Sequence, residues 1–217
     1  MKNFFGTGAL VLALGAGGLT TSAEAALIVT PGVSNIGTDN VVSAACTGGA
    51  NGPSLTITGC LNTDHSFLVN FTSDENIFFD AGGQARVVGS DGGFSQLTIG
   101  TVAPATFDKI VLNIDVINGL SGSVYFVGVP GGSTLPTTFA LGNGANFFTI
   151  TGSAGEGFSS MSFFVSSGLD VVSDVQQVRL GPTVCTTDCD PGDVPEPTSM
   201  LLLGLGLLGA GIARRRK

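Results

Sequence analysis

Four cysteines, one histidine and a scatter of acids are the residues of this 217-residue chain whose chemistry goes beyond packing. Cys46, Cys60, Cys185 and Cys189 form an even set, which favours disulfides in an oxidising compartment. The nearest pairings are Cys46–Cys60 and Cys185–Cys189. The second closes a very small loop, so cross-pairing stays open, and Cys46–Cys60 is the bridge expected first. Zinc held by these cysteines and His65 is the rival use. The C-x3-C spacing is loose and there is no second close pair, so no metal centre is expected. His65 could serve a Ser-His-Asp hydrolase, but no Gly-x-Ser-x-Gly turn is present to raise a serine. Its sequence surroundings predict a surface loop.

Two carboxylates suffice for glycoside hydrolysis. Asp74, Glu75, Asp80, Asp115 and Glu156 are available, yet sequence alone brings no pair together, and solvated surface is the expectation for each. Asp188-Cys189-Asp190-Pro191-Gly192-Asp193 places three carboxylates in six residues, a possible calcium loop. It lacks the length and closing Glu of an EF-hand and reads as an acidic linker. Gly204-Leu205-Gly206-Leu207-Leu208-Gly209 matches G-x-G-x-x-G but lies inside an apolar run with no strand before it, so it cannot cradle a dinucleotide. The inventory points to no catalytic residues, no cofactor and no enzyme.

Charge narrows the partners. Between residues 26 and 197 only Arg86, Lys109 and Arg179 oppose fifteen acids, a net charge of −12. Such a surface repels phosphate backbones, which excludes nucleic acid as a partner. Glycan binding by β-domains usually lays Trp or Tyr on the sugar ring. Here there is no Trp, and Tyr125 is the one Tyr. The 13 Phe beyond the first 25 residues are expected in a core.

That core must come from strands. Val, Ile, Thr and Phe fill short runs between Gly, Ser, Asn, Asp and Pro clusters. The runs predict strands at Leu27–Val33, Leu55–Thr58, Ser66–Thr72, Asn76–Asp80, Ala85–Val88 and Phe94–Ile99. They continue at Phe107–Ile117, Ser123–Val129, Thr137–Leu141, Asn146–Thr151, Met161–Val165 and Val175–Leu180. In Lys109–Ile117, Ile110, Leu112, Ile114 and Val116 alternate with Lys109, Val111, Asn113 and Asp115. That is the period of two, with one face apolar and the other mostly wet. Turn signals such as Asp91-Gly92-Gly93, Asn118-Gly119 and Asn143-Gly144 separate the runs, and no stretch keeps a helical period. The expected fold is all-β: a two-sheet antiparallel sandwich, jelly-roll-like, over residues 26–180. Residues 181–197, with four prolines and several acids, read as a linker.

The ends read differently. Residues 1–25 have a positive start at Lys2, an apolar run from Phe4 to Leu19 and small residues at Ala23 and Ala25. That is the pattern of a signal peptide in helical form, cut by signal peptidase after Ala25. Residues 198–217 hold the apolar run Met200–Ala213 and then Arg214, Arg215, Arg216 and Lys217. A helix there would be about 14–16 residues long, short of the ~20 of a comfortable transmembrane span. The basic cluster acts as a stop-transfer signal that keeps this end cytoplasmic.

Pro195-Glu196-Pro197, then the Leu/Gly-rich run, then Arg214–Lys217 resemble the PEP-CTERM sorting signal, over roughly the last two dozen residues. The resemblance implies that an exosortase, an integral-membrane Cys protease-transpeptidase, reads the triplet and removes the helix. It implies export by a Gram-negative bacterium that makes exopolysaccharide, a transient hold in the inner membrane, and release to the cell surface or matrix. The function expected is a non-enzymatic surface or extracellular-matrix protein associated with exopolysaccharide and biofilm. A carbohydrate-binding module is the alternative, and a glycan hydrolase the third reading.

Overall fold

The computed structural model describes residues 27–44, 46–80, 83–102, 105–130, 132–153 and 157–183. The signal helix and the C-terminal transmembrane helix expected from the sequence lie outside these residues. So do Glu156, Cys185, Cys189, the Asp188–Asp193 run, Pro195, Glu196, Pro197 and Arg214–Lys217. No helix among the described residues is long and apolar enough to cross a membrane.

The described chain is all strand and turn. Its strands are β1 (Leu27–Pro31), β2 (Asp39–Val42), β3 (Ser54–Leu61), β4 (Leu68–Phe79), β5 (Val87–Gly89), β6 (Gln96–Thr101) and β7 (Thr106–Val116). They continue as β8 (Gly122–Val129), β9 (Gly132–Ser133), β10 (Phe139–Leu141), β11 (Gly144–Gly152), β12 (Ser160–Val165) and β13 (Val172–Thr183). Neighbours pair antiparallel in the order β1-β11-β7-β13-β2-β3-β4-β6-β12-β8-β10, and β9 adds to β8. β5 pairs with both β13 and β4, which closes a five-strand circuit β13-β2-β3-β4-β5, a small barrel within the larger sheet.

This differs from the expected pair of separate sheets, because hydrogen bonds join all the strands into one network. The physical reason lies in β4 and β13, whose two halves serve different neighbours. In β4, Val69–Ser73 pair with β6 and Ile77–Phe79 with β5. In β13, Asp174 and Val175 pair with β5, while Arg179 and Leu180 pair with β2. The two strands expected at Ser66–Thr72 and Asn76–Asp80 are therefore one. Thr56 and Ser54 of β3 face Thr72 and Ile77 of β4, so surplus residues bulge out between them and turn Asp74 and Glu75 away from the core.

The core is one cluster rich in Phe. Phe71, Phe94, Phe107, Phe126, Phe158 and Phe163 are fully buried, each contributing roughly 1.5–3 kcal/mol of apolar burial. Phe71 meets Phe79 edge-on at 5.4 Å between ring centres, and Phe126 meets Phe148 at 5.2 Å. Ile110, Leu112, Ile114 and Val116 of β7 face this core as expected. The opposite face of β7 is not wet, since Val111 and Asn113 are also buried. The segment after β1 crosses that face. Ser34 N donates to Thr149 Oγ1, Thr149 Oγ1 donates to Gly32 O, and Lys109 Nζ donates to Ile36 O. Thr149 is the cross-strand partner of Val111, so the segment lies over it.

β13 also runs past the expected boundary. Gly181 and Thr183 pair with Lys109 and Thr106, so the first three residues read as linker belong to the domain. Pro182 is accommodated at a register shift, where its missing N–H breaks no regular ladder.

Candidate functional site

The strand that carries the tail is interior to the sheet. At its C-terminal half, β13 is flanked by β7 on one side and β2 on the other, with Leu180 facing both Ile110 and Asp39. The fit is close there: a side chain at Gly181 would collide with the Asp108 carboxylate and crowd Gly37 O. β1 starts at the same end of the sheet, where Leu27 pairs with Gly152 of β11. Thr151 of β11 pairs with Lys109, the partner of Gly181. Leu27 and Thr183, the two ends of the described domain, thus leave from one pole, two strands apart.

Cys46 and Cys60 form a disulfide, with Cα atoms 5.5 Å apart. It fastens the segment before β3 to the buried end of that strand, and it removes both sulfurs from the zinc set considered above. No group of His, Cys, Asp or Glu among the described residues is placed to hold a metal ion. His65 lies exposed in the β3–β4 turn, as its sequence context predicts, and its carbonyl accepts from Thr47 N. Beside it, two hydrogen bonds from Ser66 hold the Asp64 carboxyl below the ordinary range.

Seven of the described acids fall into two groups. Arg86 spans Asp80 at 3.1 Å and Asp174 at 2.9 Å. Asp174 is buried, its Oδ2 also accepts from Ser173, and its Oδ1 has no hydrogen-bond partner among the described residues. The bond to Asp174 raises the Arg86 guanidinium above its usual range. Asp115 sits on the adjoining strand and accepts from Gln176 at 2.8 Å. The second group is Asp74, Glu75, Asp91 and Asp170. Asp91, with help from Asp170 and Asp74, pushes the Glu75 carboxyl up. Ser73 and Ser95 donate to the two oxygens of Asp74.

Tyr125 stands on β8 directly across from Phe164 on β12. Their rings stack at 5.2 Å with planes 17° apart, partly exposed on the outer face. Beside them runs a row of hydroxyls in register across four strands: Thr56, Thr72, Thr98 and Ser162. Thr56 bonds Thr72 at 2.9 Å, and Thr98 bonds Ser162 at 2.7 Å. Sequence reasoning named Tyr125 but assigned every Phe to the core. The signal for Phe164 was present, because adjacent Phe163 and Phe164 in a strand must point to opposite faces.

Residues 193–217 match the PEP-CTERM protein-sorting motif. The tail is a PEP-CTERM sorting signal. It contains Pro195, Glu196, Pro197 and the basic cluster Arg214–Lys217. A PEP-CTERM signal implies an exported protein, held briefly at the membrane and handled by an exosortase. No curated protein and no solved structure matches the chain. The motif lies wholly beyond Thr183, so it dictates where the domain is sent and leaves the domain's own role to its geometry.

Proposed function

We propose that this chain is a non-enzymatic surface or extracellular-matrix protein of a Gram-negative bacterium, processed by an exosortase and associated with exopolysaccharide. The observation that carries the proposal is the sorting motif at residues 193–217. In this reading Pro195-Glu196-Pro197 is the address read by the protease. Both prolines fix φ and lack a donor, which keeps the triplet extended. Met200–Ala213 is a short hold in the bilayer, and Arg214, Arg215, Arg216 and Lys217 stop its passage. The signal at residues 1–25 is removed by signal peptidase.

The link to polysaccharide draws its support from the Tyr125–Phe164 pair. An outward aromatic pair beside an uncharged row of Thr and Ser offers apolar ring surface and hydroxyl partners together, the two things a neutral sugar presents in return.

The test is mass spectrometry of the mature protein from hosts with and without the exosortase. Loss of Arg214–Lys217 only where the enzyme is present is the expected result. Recovery of the intact basic end in both hosts would reduce the tail to a plain anchor. Retention of the exported protein on the host's own exopolysaccharide, measured by co-sedimentation, tests the second half of the proposal.

A further inference from the structure

We propose that β1 is the contact through which two copies of this chain pair, edge to edge and antiparallel, about a two-fold axis at Val29. The surface belongs to the described domain and does not depend on the sorting tail.

The first observation is an open edge. Among the described residues β1 has a strand on one side only, β11. Gly32 N donates to Phe147 O, and the register from Pro31↔Phe148 back to Leu27↔Gly152 is unbroken. Hydrogen-bonded and non-hydrogen-bonded pairs alternate along an antiparallel ladder. Thr30 and Ile28 therefore direct their backbone groups to β11, while Leu27, Val29 and Pro31 aim theirs at the free edge. Pro31, which has no N–H, stands where β11 asks for none. On the inner side Leu27 reaches Gly128 of β8, but no described strand hydrogen-bonds to β1 there. Sheet edges are ordinarily guarded by a charge, a bulge or brevity. β10, at the other end of the network, is three residues long. β1 has five residues, no charge and no bulge, and its guard is Pro31 at the last position.

The second observation is where charge is missing. A net charge of −12 between residues 26 and 197 makes two copies repel over most of their surface. Residues 27–38 and 116–155 hold no Asp, Glu, Lys, Arg or His. β1, its neighbour β11, and β8, β9 and β10 all fall within these two stretches. A basic partner would be drawn to the acids elsewhere, whereas a second acidic copy needs a face that brings no acids together. The edge of β1 is such a face.

The third is that β1 complements itself. With Val29 on the axis, Val29 N of each copy donates to Val29 O of the other, and Leu27 N of each donates to Pro31 O of the other. The missing N–H of Pro31 falls opposite Leu27 O, at the end of the ladder. This is the isologous arrangement of a two-fold dimer. Leu27 and Val29 are partly buried against the margin of the core. An open groove runs between them and Thr134, Thr137 and Phe139, and in this register Val29 and Pro31 of the second copy lie over it. On the outer face Ile28, 51% exposed, sits opposite Thr30 of the second copy.

The experiment uses the exported protein isolated from its host, in mild detergent so that a retained tail stays soluble. Sedimentation velocity should show a reversible dimer whose share grows with concentration. Ile28→Lys with Thr30→Lys sets like charges opposite each other across the axis, and so does Ile28→Glu with Thr30→Glu. Each double variant should lose the dimer while keeping its melting temperature. An equal mixture of the two should restore a heterodimer, several-fold more populated than the dimer of either alone and weakened by salt. Amide exchange at Val29 in the wild type should slow as concentration rises. A wild type that stays monomeric overturns the proposal. A dimer that survives in both variants lies on another surface, the tail included, and overturns it too. Loss in both variants without rescue on mixing overturns the register at Val29. Slow exchange at Val29 at every concentration means that the chain covers its own edge, which also overturns pairing between copies. Recovery or loss of Arg214–Lys217 bears on the sorting reading alone.

Discussion

Arg86 Nη2 donates a 2.9 Å hydrogen bond to Asp174 Oδ2 and thereby ties the start of β5 to the tail strand β13 across 88 positions of sequence. Asp174 is 4% exposed, and its second oxygen has no partner among the described residues, so Arg86 is the cation that makes its burial tolerable. Removing one member of a fully buried pair costs about 3–5 kcal/mol. The Arg86 side chain is 46% exposed, and water screens part of that loss, so Arg86→Met is expected to cost about 2–3 kcal/mol. Adding Asp174→Asn to Arg86→Met should recover much of the loss, because the stranded charge is gone. Urea melts of the two variants check both statements. Equal stability of Arg86→Met and the wild type would show that Asp174 is solvated after all.

The Cys46–Cys60 bridge closes a loop with a sequence separation of 14. A loop of that size restricts the unfolded chain by about 3 kcal/mol. Cys46→Ser with Cys60→Ser should lower the exported protein's stability by up to that amount in non-reducing urea melts. In reducing buffer the wild type should fall to the level of the variant. Free thiols at both positions in the exported protein, detected by mass spectrometry, would contradict the bridge.

Glu75 gives a pH dependence with an unusual sign for a carboxylate. Asp91 first, then desolvation, Asp170 and Asp74 raise its folded pKa above the unfolded value. The folded state therefore binds this proton more tightly, and stability falls as pH rises through the window just above the ordinary glutamate range. Above the window the repulsion persists. Glu75→Gln should accordingly raise the melting temperature at neutral pH, with the gain vanishing below the window. A gain that stays the same at acid pH would assign the effect to something other than charge.

Phe163 and Phe164 provide a paired test. Phe163 is fully buried, and Phe163→Ala should cost about 3–5 kcal/mol. Phe164 lies on the outer face against Tyr125. Phe164→Ala should cost far less, about 0.5–1.5 kcal/mol for the lost ring pair. If the outer face takes sugar, Phe164→Ala and Tyr125→Ala should both abolish co-sedimentation with exopolysaccharide while the fold survives. Undiminished retention by both variants would move sugar binding elsewhere.

The parts legible in the sequence were those written in short range. Alternation in β7 gave its core face, the Cys spacing gave the bridge, and the order of triplet, apolar run and basic cluster gave the tail. β2 was missed because four residues, two of them polar, carry too little pattern. β9 is only two residues long. The second buried face of β7 was hidden because its cover, Gly32–Thr38, is a loop without periodicity. The closed circuit depends on β5, three residues long, reaching both β4 and β13. The Arg86–Asp174 pair depends on the same closure, because 88 positions separate its members.

Where the tail joins the domain also sets how the domain bears load. If processing leaves the C-terminal end fixed to a surface or polymer, tension enters along β13 in the direction of its own axis. β13 runs between β7 and β2, so the force shears hydrogen bonds that share it together, rather than unzipping an edge strand one bond at a time. Drag on a cell aggregate would thus reach the sheet through a strand gripped on both flanks.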